Sequence, residues 1–210
     1  GLVTARWSTR LGSWTMRILV TGSQGTLGKL LMPALEGMGH NVTGIDLTHS
    51  HRENQYRCDV AHFGQLAEFF DTESEFDMVF HLAAEFGRHN GEDFTEQLWM
   101  SNAIGTKNIL KMQAEHDFRL VFFSSSEIYG ECGTEASIFH SPAQDDPAWD
   151  GFLRESYSDD LPLFPTNDYA ISKWVNELQI RNWSVINPDL RTMVVRLFNA
   201  YGPGETYTPY

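Results

Sequence analysis

The stretch Thr21-Gly22-Ser23-Gln24-Gly25-Thr26-Leu27-Gly28 limits the folds open to this chain more than any other. It follows the apolar run Ile18-Leu19-Val20 and precedes Leu30-Leu31-Met32, which has helical spacing. A buried strand, a turn with three glycines and a helix together bring bare backbone N–H groups up to a pyrophosphate. Gly22 permits the tight turn, Gly25 the approach of the phosphates, and Gly28 close packing of the helix against the sheet. Glycine-rich turns are common, so the pattern gains its weight from the motifs that follow it in order.

The composition narrows the partners. The 210 residues are enough for one substantial core, and 41% hydrophobic with 20% charged residues reads as a globular chain. A formal net charge of −13 argues against a nucleic-acid footprint and against anionic membranes. It leaves room for an anionic ligand held by backbone N–H groups and a few local cations. With only two cysteines, Cys58 and Cys132, no disulfide framework is expected, and a reduced, cytoplasmic compartment follows. No apolar run approaches the length of a membrane span. Residues 1–15 lack an acidic residue and a continuous apolar core, so they are expected to be a disordered leader or extension outside a domain of 16–210.

Along that domain, strand and helix patterns alternate. A helix is expected from Gly25 to Gly37, bent or loosened at Pro33, followed by the β-type run Asn41 to Asp46. Asp46 stands 18 positions after Gly28, where a carboxylate accepts hydrogen bonds from an adenosine ribose and repels a 2′-phosphate. This favours NAD over NADP. Asp59, in Cys58-Asp59-Val60, can reach the adenine amine or cap its own loop. After a helix over Phe63 to Phe70, the buried strand Phe76 to Ala84 ends in small residues that leave room for a flat cofactor. His81 within it reads as a packed histidine, since no partner of ligand spacing accompanies it, and no metal site is expected. A single helix is expected from Thr95 to Ala114, a strand from Arg119 to Phe123, a helix from Tyr169 to Val185 and a last strand from Thr192 to Phe198. The acidic, aromatic segment 131–168 reads as an insertion acting as a lid or substrate loop. Such alternation implies an α/β fold with a parallel sheet covered on both faces and ligands at the carboxyl ends of the strands.

Tyr169 and Lys173 lie four apart and share a helix face. An adjacent ammonium, with the positive nicotinamide ring, is expected to favour the phenolate, so the pair can take a proton from an alcohol as its hydride leaves. Ser125 or Ser126 would hold the same hydroxyl.

The ordered set Thr21-Gly22-x-x-Gly25-x-x-Gly28, Asp59-Val60, His81-Leu82-Ala83-Ala84, Asn102-x-x-Gly105-Thr106, Ser125-Ser126-Glu127-Ile128-Tyr129-Gly130, Tyr169-x-x-x-Lys173 and Arg196-x-x-Asn199-x-Tyr201-Gly202-Pro203 resembles the extended short-chain dehydrogenase/reductase superfamily. Within it, the match is to the nucleotide-sugar epimerase/dehydratase branch. The resemblance implies a Rossmann-type doubly wound sheet whose C-terminal substrate-binding segment is largely absent from this chain. It implies Tyr169 as base, Lys173 on the nicotinamide ribose and Ser125 as the hydroxyl-orienting group, and NAD along Gly22, Gln24, Gly25, Thr26, Leu27, Gly28, Asp46, Asp59, Val60, Leu82, Ala83, Ala84, Asn102 and Ser124. A nucleotide-diphosphate sugar would meet Ser125, Ser126 and Asn199. The implied chemistry is transient oxidation of a sugar carbon, usually C4, followed by epimerisation, dehydration or decarboxylation. Glu127 reads either as a second acid/base or as a solvated residue at a strand end. A non-catalytic dinucleotide sensor is the reading from another class, and a homodimer is expected by analogy alone.

Overall fold

Six short runs rich in apolar and β-branched residues become six parallel strands in one sheet, ordered β3-β2-β1-β4-β5-β6. They are β1 (Arg17–Thr21), β2 (Asn41–Asp46), β3 (Gln55–Arg57), β4 (Met78–His81), β5 (Arg119–Ser125) and β6 (Thr192–Leu197). The helices are α1 (Thr26–Gly37), α2 (Phe63–Thr72), α3 (Thr95–Trp99), α4 (Gly105–His116) and α5 (Asp168–Ile186). This is a computed structural model, and it describes residues 15–73, 75–86, 94–130, 163 and 165–198. The segment 131–162 and Asn199 lie outside the described residues.

The strand order reverses between β1 and β4, which pair from Ile18 opposite Met78 to Thr21 opposite His81. A crevice opens at such a switch point because successive helices leave toward opposite faces. On one face, α2, α4 and α5 bury Leu66, Phe70, Ile109, Leu110 and Ile180 over Leu19, Val79, Leu120 and Phe122. On the other, α1 sets Met32 and Leu35 against Ile18, Val20 and Val42. Each such fully buried side chain contributes roughly 1.5–3 kcal/mol. The first of these clusters is aromatic at its centre, with Phe70 stacked on Phe118 and edge-on to Phe76.

Three expected elements differ in detail. Helix α1 runs unbroken through Pro33, which sits on the exposed side. The carbonyl that proline deprives of a donor there can be solvated instead. Strand β4 stops at His81, and Leu82 to Ala84 form a loop. The expected single helix over Thr95–Ala114 is divided by a wider π-turn at Met100–Ile104. That turn brings Asn102 into the interior, and π-turns of this kind recur at functional sites.

Backbone contact sets how closely α1 sits on the sheet. Gly44 in β2 lies under the helix start, where an added Cβ would come within 2.7 Å of Ser23 Cβ and 2.8 Å of Met32 Sδ. Gly44→Ala is expected to destabilise the fold by about 1–3 kcal/mol through overpacking. A lowered urea midpoint with an unchanged m-value would report it.

Candidate active site

At the carboxyl end of β1, Gly22 adopts φ +71°, and a Cβ there would meet Ala83 N at 2.7 Å. Its turn is fixed by Gly22 and Ser23 N–H groups donating to Ile45 O (2.9 and 3.2 Å). A Cβ on Gly28 would meet Gly22 O at 2.3 Å, so this glycine is needed for the turn itself, not for spacing the helix from the sheet. Gly25 is the N-cap of α1 and supplies no side-chain cap. The first intrahelical donor is Lys29 N–H to Gly25 O, so the N–H groups of Thr26, Leu27 and Gly28 have no partner within the helix. Gly25 and Thr26 are exposed, and the nearest atom to a Cβ on Gly25 is Gly22 O at 3.2 Å. Free donors, a positive helix end and open space fit a pyrophosphate.

Asp46 closes β2 beside this turn. Its Oδ2 accepts from Gln24 N–H (2.9 Å) and its Oδ1 from Thr48 N–H (2.8 Å). The carboxylate therefore shapes the glycine turn as well as facing the crevice. Gln24 in turn bonds Gln55 through its side-chain amide. Asp59 caps its own loop, with Oδ1 accepting from Ala61 N–H at 2.9 Å.

Three residues expected along the cofactor turn inward. Val60 is buried in the core beneath Gly105, whose added Cβ would meet Val60 Cγ2 at 2.8 Å. Ser124 is buried on the helix-covered face with Leu120 and Phe122, because strand side chains alternate and only Ser125 faces the other way. Its hydroxyl has no partner among the described residues. Asn102 is 1% exposed and fully engaged: Oδ1 accepts from Glu85 N–H (2.7 Å), while Nδ2 donates to Glu85 O (3.1 Å) and Ser172 Oγ (2.9 Å). Its side chain ties the loop after β4 to α5.

The reactive groups converge where β5 meets the start of α5. Ser125 Oγ accepts from Glu127 N–H (3.2 Å), and its hydroxyl lies near enough to the Tyr169 phenol to lower that group. Phe86 packs edge-on against the Tyr169 ring at 5.4 Å between centroids. Lys173 is buried; its Nζ donates to Phe123 O (2.8 Å) and lies 5.7 Å from the Tyr169 ring centroid. Desolvation pulls the Lys173 ammonium down to about 8. The Tyr169 phenol is pushed up to about 12 by burial and by the Glu127 carboxylate, against the lowering by Ser125. The Lys173 ammonium is expected to act on the phenol together with the nicotinamide ring; in the chain by itself desolvation dominates, and Lys173 Nζ donates to the Phe123 carbonyl.

Two polar clusters brace this end. Ala83 N–H donates to Thr21 Oγ1 (3.1 Å), and Thr21 Oγ1 lies 2.7 Å from His81 Nδ1. Nε2 of the same ring lies 3.2 Å from Thr106 Oγ1, so each ring nitrogen has a hydroxyl partner. His81 is a packed histidine. Arg196 grips Glu177 of α5 with two bonds (3.0 and 2.7 Å) and donates to Tyr129 OH (2.8 Å). This joins β6, α5 and the 3-10 turn Ser126–Tyr129 that carries Glu127.

The model of the NAD dependent epimerase/dehydratase family matches residues 18–209. The chain belongs to that family. Its cofactor is NAD. The chain is similar to UDP-N-acetyl-alpha-D-glucosaminuronate decarboxylase of Bacillus cytotoxicus (28% identical, over 92% of this chain and 57% of that protein). It is also similar to dTDP-glucose 4,6-dehydratase of Mycolicibacterium smegmatis (28%, over 90% and 54%). Among solved structures, the UDP-glucose 4-epimerase of Thermus thermophilus in complex with NAD superimposes with a TM-score of 0.72 at 25% identity, over 91% of this chain and 58% of that one. The chain spans about half the length of the curated relatives it matches.

Within this epimerase/dehydratase fold the structure adds residues that sequence reading passed over. Gly44 and Phe86 carried no motif. Asn167 sits immediately before a helical run, which is a cap signal that was available. Among the described residues no group of three or more His, Cys, Asp or Glu could hold a metal, and no helix is long and apolar enough to cross a membrane. Cys58 is buried, its thiol pushed up to about 11 by desolvation and Asp59.

Burial pulls His81 down to about 3 from an ordinary 6.5, with the Lys173 charge adding to the effect. The unfolded chain then binds a proton between those values that the folded chain does not. Stability is therefore full above pH 6.5 and falls as the pH drops toward 3, with a slope approaching about 1.4 kcal/mol per pH unit. Urea unfolding from pH 7 to 4 should show this slope, and His81→Gln should flatten it.

Proposed function

We propose that this protein transforms a nucleotide-diphosphate sugar by transiently oxidising a sugar hydroxyl, at C4, to a ketone, with Tyr169 as the base. The observation that carries this reading is the convergence of Ser125, Tyr169 and Lys173 at the carboxyl edge of the sheet. Bound NAD supplies the hydride acceptor and, with its positive ring, a charge that favours the phenolate.

The chain's own residues do the rest. Thr26, Leu27 and Gly28 N–H groups, behind Gly22, Gln24 and Gly25, would hold the cofactor's pyrophosphate; Asp46 would take the adenosine ribose and Asp59 the adenine side. Leu82, Ala83 and Ala84 would line its path, and Lys173 would bond the nicotinamide ribose. Ser125 would donate to the sugar oxygen while Tyr169 removes its proton. The phenol's high starting value (about 12) makes this step depend on a nearby cation. Ser126 and Asn199 would contact the sugar or its diphosphate.

Glu127 bears on the fate of the ketone. A ketone acidifies the neighbouring carbon, and the Glu127 carboxylate, whose charge is felt at the Tyr169 phenol, would be the group to move that proton. This supports a dehydratase outcome, or another that needs a second acid/base, beside simple epimerisation at C4.

Tyr169→Phe is expected to lower turnover by about 100- to 10,000-fold while NAD affinity stays within error. The measurement is product formation, by mass and NMR, from uridine-, guanosine- and thymidine-diphosphate sugars. No product and no NADH fluorescence from wild-type protein across that panel would favour the sensor reading. Because Asp46 faces the ribose end, NAD is expected to raise the melting temperature more than NADP at equal concentration; equal shifts would remove Asp46 as the discriminating residue.

A further inference from the structure

We propose that Asn167 is a positioning residue whose single side-chain amide both caps α5 and holds the Glu127 carboxylate against the start of the helix that carries Tyr169. Its importance for catalysis rests on the reading of Glu127 and Tyr169 given above; the tether itself does not.

Asn167 Oδ1 accepts from Ala170 N–H at 2.8 Å, closing the first turn of α5. Its Nδ2 donates to Glu127 Oε2 at 2.9 Å, across to the turn after β5. A planar amide bonded at both ends has its rotation fixed, so the carboxylate and the start of the helix move as one unit. Glu127 also donates its backbone N–H to Ser125 Oγ, whose hydroxyl lies near the Tyr169 phenol two residues beyond Asn167. A closed ring of contacts results: Asn167, Glu127, Ser125, Tyr169 and back along α5.

The chemistry selects asparagine among the good caps. Serine would cap equally well and leave Glu127 unheld. Aspartate would cap while repelling the carboxylate. A carboxylate near the positive end of a helix is also favoured by the helix dipole. The other charged groups on the elements around it are Asp168 at the start of α5, Lys173 behind the phenol, Glu85 after β4, and the Arg196–Glu177 pair reaching Tyr129.

Asn167→Ser separates the two roles, because it keeps the acceptor and removes the donor. The first readout needs no turnover. In 15N-labelled wild-type protein, the Asn167 side-chain amide, assigned by its loss in Asn167→Ser, should give one proton shifted downfield by the carboxylate. Glu127→Gln should move that proton upfield. An unmoved proton would overturn the tether.

The second readout uses the full-length, NAD-loaded protein and a sugar nucleotide that it converts. Asn167→Ser should lower kcat by up to about 100-fold, with KM, NAD affinity and melting temperature close to wild type. Adding Glu127→Gln should lower kcat no further than Glu127→Gln alone. Independent, multiplying losses would overturn the positioning role, as would a drop in melting temperature with kcat intact. Failure of the wild type to convert any sugar would defeat the proposed function and leave the amide result to decide the tether.

Discussion

Backbone against backbone at the switch point between β1 and β4 is the constraint from which the rest of the structure follows. Gly22 turns with positive φ in a space closed by Ala83, and Gly28 lets the first turn of α1 lie on Gly22 O. Neither contact tolerates a side chain. Together they aim three unpaired N–H groups out of the carboxyl end of the sheet, and Asp46 stiffens the same turn from β2. An anion site there would be made of main chain, which a chain with net charge −13 can supply without cationic side chains.

The Ser125, Tyr169 and Lys173 cluster sits one strand pair away, and burial dominates the electrostatics of Tyr169 and Lys173. Lys173 is closed off from water with one carbonyl as its hydrogen-bond acceptor, and Tyr169 is packed between Phe86, Ser125 and the Lys173 stem. Both are held in the less favoured direction for an acid/base pair: the ammonium is easier to discharge and the phenol harder. The polar clusters around it keep the geometry rigid. Asn102 fastens the loop after β4 to Ser172, whose Oγ donates to Tyr169 O at 2.7 Å. Arg196 clamps α5 to the turn that bears Glu127.

Much of the fold was legible because buried parallel strands and the helices between them differ in period and in the residues that end them. Five of the six strands and the motif order follow from local pattern; the short polar β3 and the switch point between β1 and β4 do not. What pattern missed was interior geometry. The helix over Thr95–Ala114 has no local signal for a π-turn, and within that turn Asn102 makes three bonds inside the protein. The same holds for Val60 and Ser124, which lie next to site residues in sequence but point the other way in space.

The sequence by itself determined that a parallel sheet would carry a glycine turn at its first strand and a tyrosine–lysine pair on its last described helix. These depend on spacing within a few residues, and spacing is local. Only the tertiary structure decided which side chains face the crevice and what their protons meet. That depends on how deeply each group is buried and on contacts such as Asn167 with Glu127, 40 residues apart, or His81 with Thr21, 60 apart. Burial and long-range contact set desolvation and charge, and no local pattern encodes them.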